Sequence, residues 1–180
     1  MRFTRMSVWM ALSILALSVG GCDGLQNPQP GGKRAAASAT ASGGEPLELA
    51  AADWLNTEIP PTRSSLRGQV VVVEFWATWC GPCVAGIPHL NDMQTKYRDR
   101  GLRVVSLTNE PLAVVEAFQK TARSRIEYTV GTGSDLSDKY GIDAIPHAML
   151  ISRGGKLLWQ GHPAEPEFEE QIERALEEKP

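Results

Sequence analysis

The sequence has few of the residues that build metal cages or disulfide frameworks, and its charge is weak. It contains three cysteines and three histidines in 180 residues, with a formal net charge of -3 and a pI near 5.7. It has no polybasic run, so we expect no nucleic-acid partner. No internal repeat is visible, and a hydrophobic content of 42% is enough for one core and therefore one domain.

The scarcity of metal ligands excludes a closed zinc site. His89, His147 and His162 are scattered along the chain, and no second CxxC motif accompanies Cys80 and Cys83. A structural zinc ion needs four ligands, which this pattern does not supply. A copper site made of two thiolates and one histidine stays open as an alternative.

The chain also lacks an apolar run long enough to span a bilayer permanently. The longest run, Met6–Gly20, follows Arg2 and Arg5 and leads into the sequence VGGC at Val19–Cys22. As a helix it would extend about 22 Å, short of a hydrocarbon core of about 30 Å. The layout predicts a secretory signal peptide over residues 1–21. VGGC also resembles the lipobox of bacterial lipoproteins, which implies cleavage before Cys22 and lipidation of that residue; the alternative is an ordinary signal peptide beside an incidental cysteine.

The number of cysteines supports lipidation. Three thiols in an exported protein leave one unpaired, and a lipid on Cys22 accounts for it, so that Cys80 and Cys83 form a pair. Residues 23–46 are rich in Gly, Pro, Ala and Ser, which predicts a flexible tether with an end-to-end distance of about 27 Å. Asp23 resembles the inner-membrane retention signal of some Gram-negative lipoproteins. We therefore predict a lipid-anchored linker over 22–46 and a folded domain over 47–180.

The folded part alternates strands and helices, which predicts an α/β fold. Residues 47–67 are predicted to form a hairpin or an irregular segment. The sequence GTGS at Gly131–Ser134 lacks the third glycine and the lysine of a phosphate loop, so we predict a turn there instead, in which Ser134 caps a short helix. The order of elements predicts parallel strands first, an antiparallel hairpin last, and helices on both faces of the sheet. The predicted strands are 70–75, 102–107, 126–130, 147–151 and 156–160; the predicted long helices are 82–99, 111–123 and 165–178.

The segment FWATWCGPC, Phe75–Cys83, carries the chemistry. A disulfide that closes so short a loop stabilises little, which argues against a purely structural role. Cys80 would lie at the N-terminus of a helix beginning at Pro82, where free N–H groups and the helix dipole favour a thiolate. Cys83, one turn along, would be shielded and would resolve a mixed disulfide. The segment therefore predicts a redox-active pair.

Glu74 is the candidate base for the proton of the shielded thiol. It lies on an otherwise apolar strand six residues before Cys80. A buried carboxyl tends toward a raised pKa, which suits proton transfer near neutrality. The alternative is a residue at a sheet edge that reaches solvent.

The segment Leu66–Cys83 resembles the thioredoxin superfamily, and more closely its membrane-anchored TlpA/ResA-like thiol:disulfide oxidoreductases. The resemblance covers residues 47–180. It implies a thioredoxin-like fold, a central mixed sheet flanked by helices, with a TlpA-type insert at about 112–130 between the active-site helix and a cis-proline loop at Ile145 and Pro146. It also implies a substrate-binding surface, which consists of Trp79, Gly81, Pro82, Ile145, Pro146 and His147.

The sequence departs from this family's pattern at three positions. Gly86 stands where the family commonly has a Glu, and Glu74 stands where plain thioredoxins keep a buried Asp. His147 follows the proline where the family often has Thr. Its imidazole would stabilise a thiolate, join the thiols on copper, or simply pack.

These observations predict a lipid-anchored oxidoreductase on the periplasmic side of the inner membrane in the bacterial cell envelope, acting as a monomer. Its only redox group would be the Cys80–Cys83 disulfide, without a metal or other cofactor. The resemblance implies exported disulfide substrates, such as apocytochrome c or copper-centre assembly proteins, and a membrane thiol carrier of the DsbD/CcdA type. CGPC is the motif of thioredoxin, whose potential of about -270 mV favours a reductant. The alternatives are an oxidant, a copper-binding module using Cys80, Cys83 and His147, and a peroxide reductase, for which no lone cysteine with an arginine partner is evident.

Overall fold

The computed structural model describes residues 48–123 and 125–178. The predicted signal peptide and the whole predicted linker, 22–46 with Cys22, lie outside these ranges, as does the first residue of the predicted domain, so those predictions stay predictions. Within the described ranges, no helix combines the length and the apolar character needed to cross a membrane.

One six-stranded mixed sheet forms the centre of the described domain. The strand order is β1-β4-β3-β2-β5-β6; β2, β3 and β4 run parallel, whereas β1, β5 and β6 are antiparallel to their neighbours. The predicted fold class, with parallel strands first and an antiparallel hairpin last, is confirmed. The strands are β1 (Asp53–Leu55), β2 (Val70–Phe75), β3 (Leu102–Leu107), β4 (Thr129–Thr132), β5 (His147–Ile151) and β6 (Leu157–Gly161); the helices are α1 (Gly81–Tyr97), α2 (Leu112–Thr121), α3 (Leu136–Lys139) and α4 (Glu167–Glu177), and a 3-10 turn spans Arg98–Arg100.

Strand β2 lies in the middle of the sheet and is buried along its whole length. Because side chains alternate along a strand, its residues divide between two hydrophobic clusters. Val70 and Val72 pack with residues of α1, α2 and α4, on what we call the α1 face. Val71 and Val73 pack with Leu136 of α3, on the α3 face. Both faces of the sheet are therefore covered by helices, as predicted.

Helix α1 buries one apolar stripe against the sheet. Four of its apolar residues, Ile87, Leu90, Met93 and Tyr97, are buried, and Val84 is half-buried. The 3-and-4 spacing of these residues matches the period of a helix. Pro88 lies inside α1, which continues to Tyr97.

The predicted strand at 126–130 is wrong in its bounds, because β4 spans Thr129–Thr132. Ile126 and Tyr128 are buried, but the Asn56 side-chain amide donates to both of their carbonyl oxygens, at 2.8 and 2.9 Å. That side chain takes the place of a neighbouring strand. Gly131 belongs to β4 rather than to a turn, and a Cβ atom there would lie 2.8 Å from side-chain carbon atoms of Ala51 and Leu107.

The segment before β2 does not form the hairpin that was one of its two predicted forms. Its strand β1 instead pairs antiparallel with β4, and Asp53 lies opposite Thr132. Helix α2 is also shorter than predicted and fully buries Val115, whereas Leu112 and Phe118 are half-buried. The segment with α2 and β4 occupies the place of the predicted insert; its being an insertion stays a prediction.

Candidate active site

The two cysteines of the CGPC motif form a disulfide at the N-terminus of α1. Cys80 is the N-cap residue of this helix, and its Sγ accepts a hydrogen bond from the backbone N–H of Cys83 at 3.2 Å. The Cys80 carbonyl accepts from the Val84 N–H at 3.0 Å, which continues the helical ladder. Pro82 stands in the first turn, where no N–H is needed. The predicted placement of Cys80 is therefore confirmed, although the helix begins at Gly81.

The two sulfur-bearing residues differ less in exposure than the sequence suggests. Cys80 is 5% exposed and Cys83 is 1% exposed, and both belong to the hydrophobic cluster of the α1 face. The disulfide ties Cys80 to its buried partner, which limits the exposure of the outer residue. The neighbouring Trp79 is 75% exposed, so the surface around the pair is open on that side.

Glu74 lies in the middle of the sheet, between β3 and β5, so the sheet-edge alternative is wrong. It is 2% exposed. Its Oε2 accepts hydrogen bonds from Ser106 Oγ at 3.0 Å and from the Tyr128 hydroxyl at 3.4 Å. Burial raises the pKa of this carboxyl from 4.5 to about 8, and the two hydroxyl groups oppose that rise in part. Glu74 is therefore able to bind and release a proton near neutrality.

A cavity of about 470 Å³ joins Glu74 to the redox pair. Its lining includes Glu74 and Cys83, together with Gly86, where the resemblance leads us to expect a glutamate. A Cβ atom added at Gly86 would meet no other atom within 4 Å, so space does not explain the missing acid. The acid nearest to Cys83 in this lining comes from strand β2 and not from the helix.

Two histidines that the sequence did not single out for this site also line the cavity. His89 lies on α1 and His162 follows β6. Both are exposed, and the Nδ1 of His162 accepts the Ala164 N–H at 3.0 Å. They come from elements distant in sequence, so no local pattern could have predicted that they line one cavity.

The proline loop faces the same region from β5. The Ile145–Pro146 peptide bond is cis, and Pro146 lines the cavity that Glu74 and Cys83 share. Ile145 lines a second cavity together with Trp79. Of the predicted substrate-binding residues, Pro82 and Pro146 thus line the cavity of Cys83, and Trp79 and Ile145 line the second cavity. Gly81 is exposed and lines neither.

His147 lies on the other side of the sheet from the cysteines. In β5, Ala148 packs on the α1 face and Met149 on the α3 face, so alternation places His147 on the α3 face. It is half-buried; desolvation lowers its pKa, and its Nε2 has no hydrogen-bond partner in the described part of the chain. The structure therefore does not bring His147 into the cavity that Cys83 lines. Across the described residues, no group of three or more His, Cys, Asp or Glu side chains is arranged to hold a metal ion.

Residues 49–160 match the family model of the AhpC/TSA family. The chain belongs to this family. It is 27% identical over 111 residues to the thiol-disulfide oxidoreductase ResA of Bacillus thuringiensis subsp. konkukian, in a match that covers 60% of this chain and 64% of the relative. The chain thus spans less than two thirds of that relative's length.

Two solved structures are similar to this chain as well. A thiol:disulfide interchange protein of the thioredoxin family from Chlorobium tepidum TLS is similar with a TM-score of 0.56 and 29% identity, covering 65% of this chain and 86% of that one. A thiol-disulfide isomerase from Corynebacterium glutamicum has a TM-score of 0.64 at 23% identity, covering 74% and 97%, which shows the shared fold. The thioredoxin-like fold and the ResA-like resemblance are confirmed.

Proposed function

We propose that this chain is a thiol-disulfide oxidoreductase that reduces disulfides of exported proteins. One observation carries the proposal: a Cys80–Cys83 disulfide caps α1 while Cys83 shares a cavity with the buried carboxyl of Glu74. The ResA relative and the thiol:disulfide interchange protein carry names of the same activity class.

The reaction begins from the dithiol form. The thiolate of Cys80 attacks one sulfur of a substrate disulfide, a mixed disulfide forms, and the other substrate sulfur leaves as a thiolate. The Cys83 thiolate then attacks Cys80 Sγ, and the first substrate sulfur leaves. Two electrons pass to the substrate, and the protein is left with the Cys80–Cys83 disulfide seen in this structure.

Glu74 accepts the proton that Cys83 must lose before it attacks. A thiol is a poor nucleophile until it is deprotonated. A carboxyl with a pKa of about 8 is matched to such a transfer at neutral pH. Its hydrogen bonds to Ser106 and Tyr128 hold the carboxyl in place within the sheet.

The residues beside the disulfide favour disulfide exchange over peroxide reduction. No arginine from the described ranges lines the cavity that Cys83 shares with Glu74, or the second cavity, which Trp79 and Ile145 line. The CGPC motif is that of thioredoxin, whose potential lies near -270 mV, and this favours a reductant over an oxidant.

The cellular setting follows from the N-terminal sequence and the family resemblance. We propose that Cys22 carries a lipid and holds the domain at the periplasmic side of the inner membrane. A membrane thiol carrier of the DsbD/CcdA type would return the electrons. Apocytochrome c or copper-centre assembly proteins would be the substrates.

Reduction of insulin by the dithiol form tests the activity. The wild-type chain should turn over insulin with dithiothreitol as electron donor, and Cys80→Ser should abolish turnover because the attacking sulfur is gone. Cys83→Ser should accumulate a mixed disulfide at Cys80, because nothing resolves it. Copper titration of the same reduced sample separates the alternative: tight copper binding without turnover would contradict the enzyme proposal.

A further inference from the structure

A second carboxylate, that of Glu110, touches the active-site loop. The loop 76–80 connects β2 to α1, and Glu110 follows β3. Glu110 Oε2 accepts the backbone N–H of Thr78 at 2.6 Å, and its Oε1 accepts the Thr78 hydroxyl at 2.7 Å. Both oxygens of one carboxylate thus bind one residue, and hydrogen bonds of this length to an ionised acceptor are strong.

Glu110 is itself held by the ends of two strands. Its backbone N–H donates to Thr108 Oγ1 at 3.2 Å, and that hydroxyl donates back to Glu110 Oε2 at 3.3 Å. Its carbonyl accepts the Gly133 N–H at 2.9 Å. The carboxylate is therefore a fixed point on the sheet and not a mobile side chain.

The rest of the loop has few other ties to the sheet. The Trp76 N–H donates to the Leu107 carbonyl at 3.1 Å, whereas the Cys80 N–H donates within the loop, to the Ala77 carbonyl, at 3.1 Å. Trp79 projects into solvent. Between Trp76 and the first turn of α1, the hydrogen bonds that tie this loop to the sheet within the described residues run from Thr78 to Glu110.

We propose that Glu110 is a positioning residue that holds Thr78 so that Cys80 remains the N-cap of α1 in the dithiol form. The inference rests on the proposed function and deepens it. Once the disulfide is reduced, no covalent bond fixes Cys80 to Cys83. The effect of a helix N-terminus falls off within its first turn, so a small displacement of Cys80 weakens the stabilisation of its thiolate.

The negative charge of Glu110 and its anchoring of Thr78 have opposite effects on the pKa of Cys80, so an experiment can separate them. A nearby carboxylate disfavours a thiolate, so loss of the charge alone would lower the pKa of Cys80. Loss of the anchor would raise that pKa. The other ionisable groups that line the two cavities are the Cys83 thiol, Glu74, His89, His162 and Asp143, and the variants below leave them in place.

The test measures the pH dependence of iodoacetamide alkylation at Cys80 in the reduced full chain, followed by peptide mass spectrometry. Glu110→Ala should raise the apparent pKa of Cys80 by about one unit and slow its alkylation at pH 7 up to about fivefold. Thr78→Val removes the hydroxyl but keeps the backbone N–H bond to Glu110, so it should raise this pKa by less. Thr78→Ser restores the hydroxyl and should rescue the wild-type pKa. Glu110→Gln removes the charge but keeps both hydrogen bonds to Thr78, because the amide oxygen accepts the backbone N–H and the amide N–H₂ donates to the Thr78 hydroxyl. This loss of charge alone should lower the pKa of Cys80. Glu116→Ala, at an exposed position of α2, is the control.

Two results would overturn the proposal. One is a lowered pKa of Cys80 in Glu110→Ala, which would show that charge outweighs position. The other is an unchanged pKa with a lowered melting temperature, which would give Glu110 a role in folding alone. Alkylation of Cys80 is measured without turnover, so it tests the positioning role separately from the proposed function. If the pKa values follow the predicted pattern but the chain fails to reduce insulin, the proposed function is refuted and the positioning role stands.

Discussion

The two carboxyl groups beside the disulfide, Glu74 and Glu110, do different work because they lie in different parts of the sheet. Glu74 is inside the central strand, and burial raises its pKa to about 8. Glu110 lies half-buried beyond the end of β3 and accepts a backbone N–H and a hydroxyl of Thr78. A glutamate inside the sheet, Glu74, therefore holds a proton up to about pH 8, whereas a glutamate beyond the end of a strand, Glu110, binds the active-site loop through hydrogen bonds.

The largest expected effect concerns the pH dependence of stability. Glu74 has a folded-state pKa of about 8 against an ordinary value of 4.5, so the folded protein holds an extra proton between those values. Its contribution is fully present below about pH 4.5 and is lost as the pH rises toward 8. The free energy of unfolding should therefore fall by up to about 1.4 kcal/mol per pH unit across this window.

Glu74→Gln removes the titrating group and should flatten this dependence. Urea unfolding of the oxidised protein between pH 5 and pH 8 measures it. Glu116→Gln, the same change at an exposed site, should keep the wild-type slope. Parallel curves for wild type and Glu74→Gln would show that Glu74 is ionised throughout, and the comparison with Glu110 would fail.

The next effect is kinetic. Glu74→Gln should slow the resolution of the mixed disulfide about a hundredfold at pH 8, because an amide does not accept the proton of Cys83. In the wild type the resolution rate should rise as the pH passes through about 8, where Glu74 ionises. Rapid-quench release of product from a preformed mixed disulfide measures both rates. A variant that kept the wild-type rate and pH profile would remove Glu74 from the reaction.

The sequence predicted the bounds of β2, β3 and β5 correctly, because each is a short, mostly apolar segment that is largely buried in the sheet. The four consecutive valines of β2 gave the strongest signal. The bounds of β4 were missed because the Asn56 side chain binds the carbonyls of Ile126 and Tyr128 in place of a strand. That contact joins residues distant in sequence, and no local pattern signals it.

The site was predictable where one segment supplies it. The CGPC motif placed Cys80 at the helix N-terminus, and the apolar run around Glu74 placed that carboxyl in the interior. The sequence left three alternatives open for His147, and the register of β5 favours simple packing, because it turns the side chain to the face opposite the sulfurs. The contact between Glu110 and Thr78 depends on the two strand ends meeting, which only the fold reveals.

The apparent pKa of Cys80 in the wild-type dithiol tests the central claim most directly. The account predicts a value of about 7 or below, because the N-terminus of α1 stabilises the thiolate, and a value for Cys83 above that of free cysteine, because it is buried among apolar residues beside a carboxyl. Alkylation of each residue as a function of pH gives both values. If Cys80 titrates near 8.5, as free cysteine does, the helix terminus does not activate it and the account is contradicted.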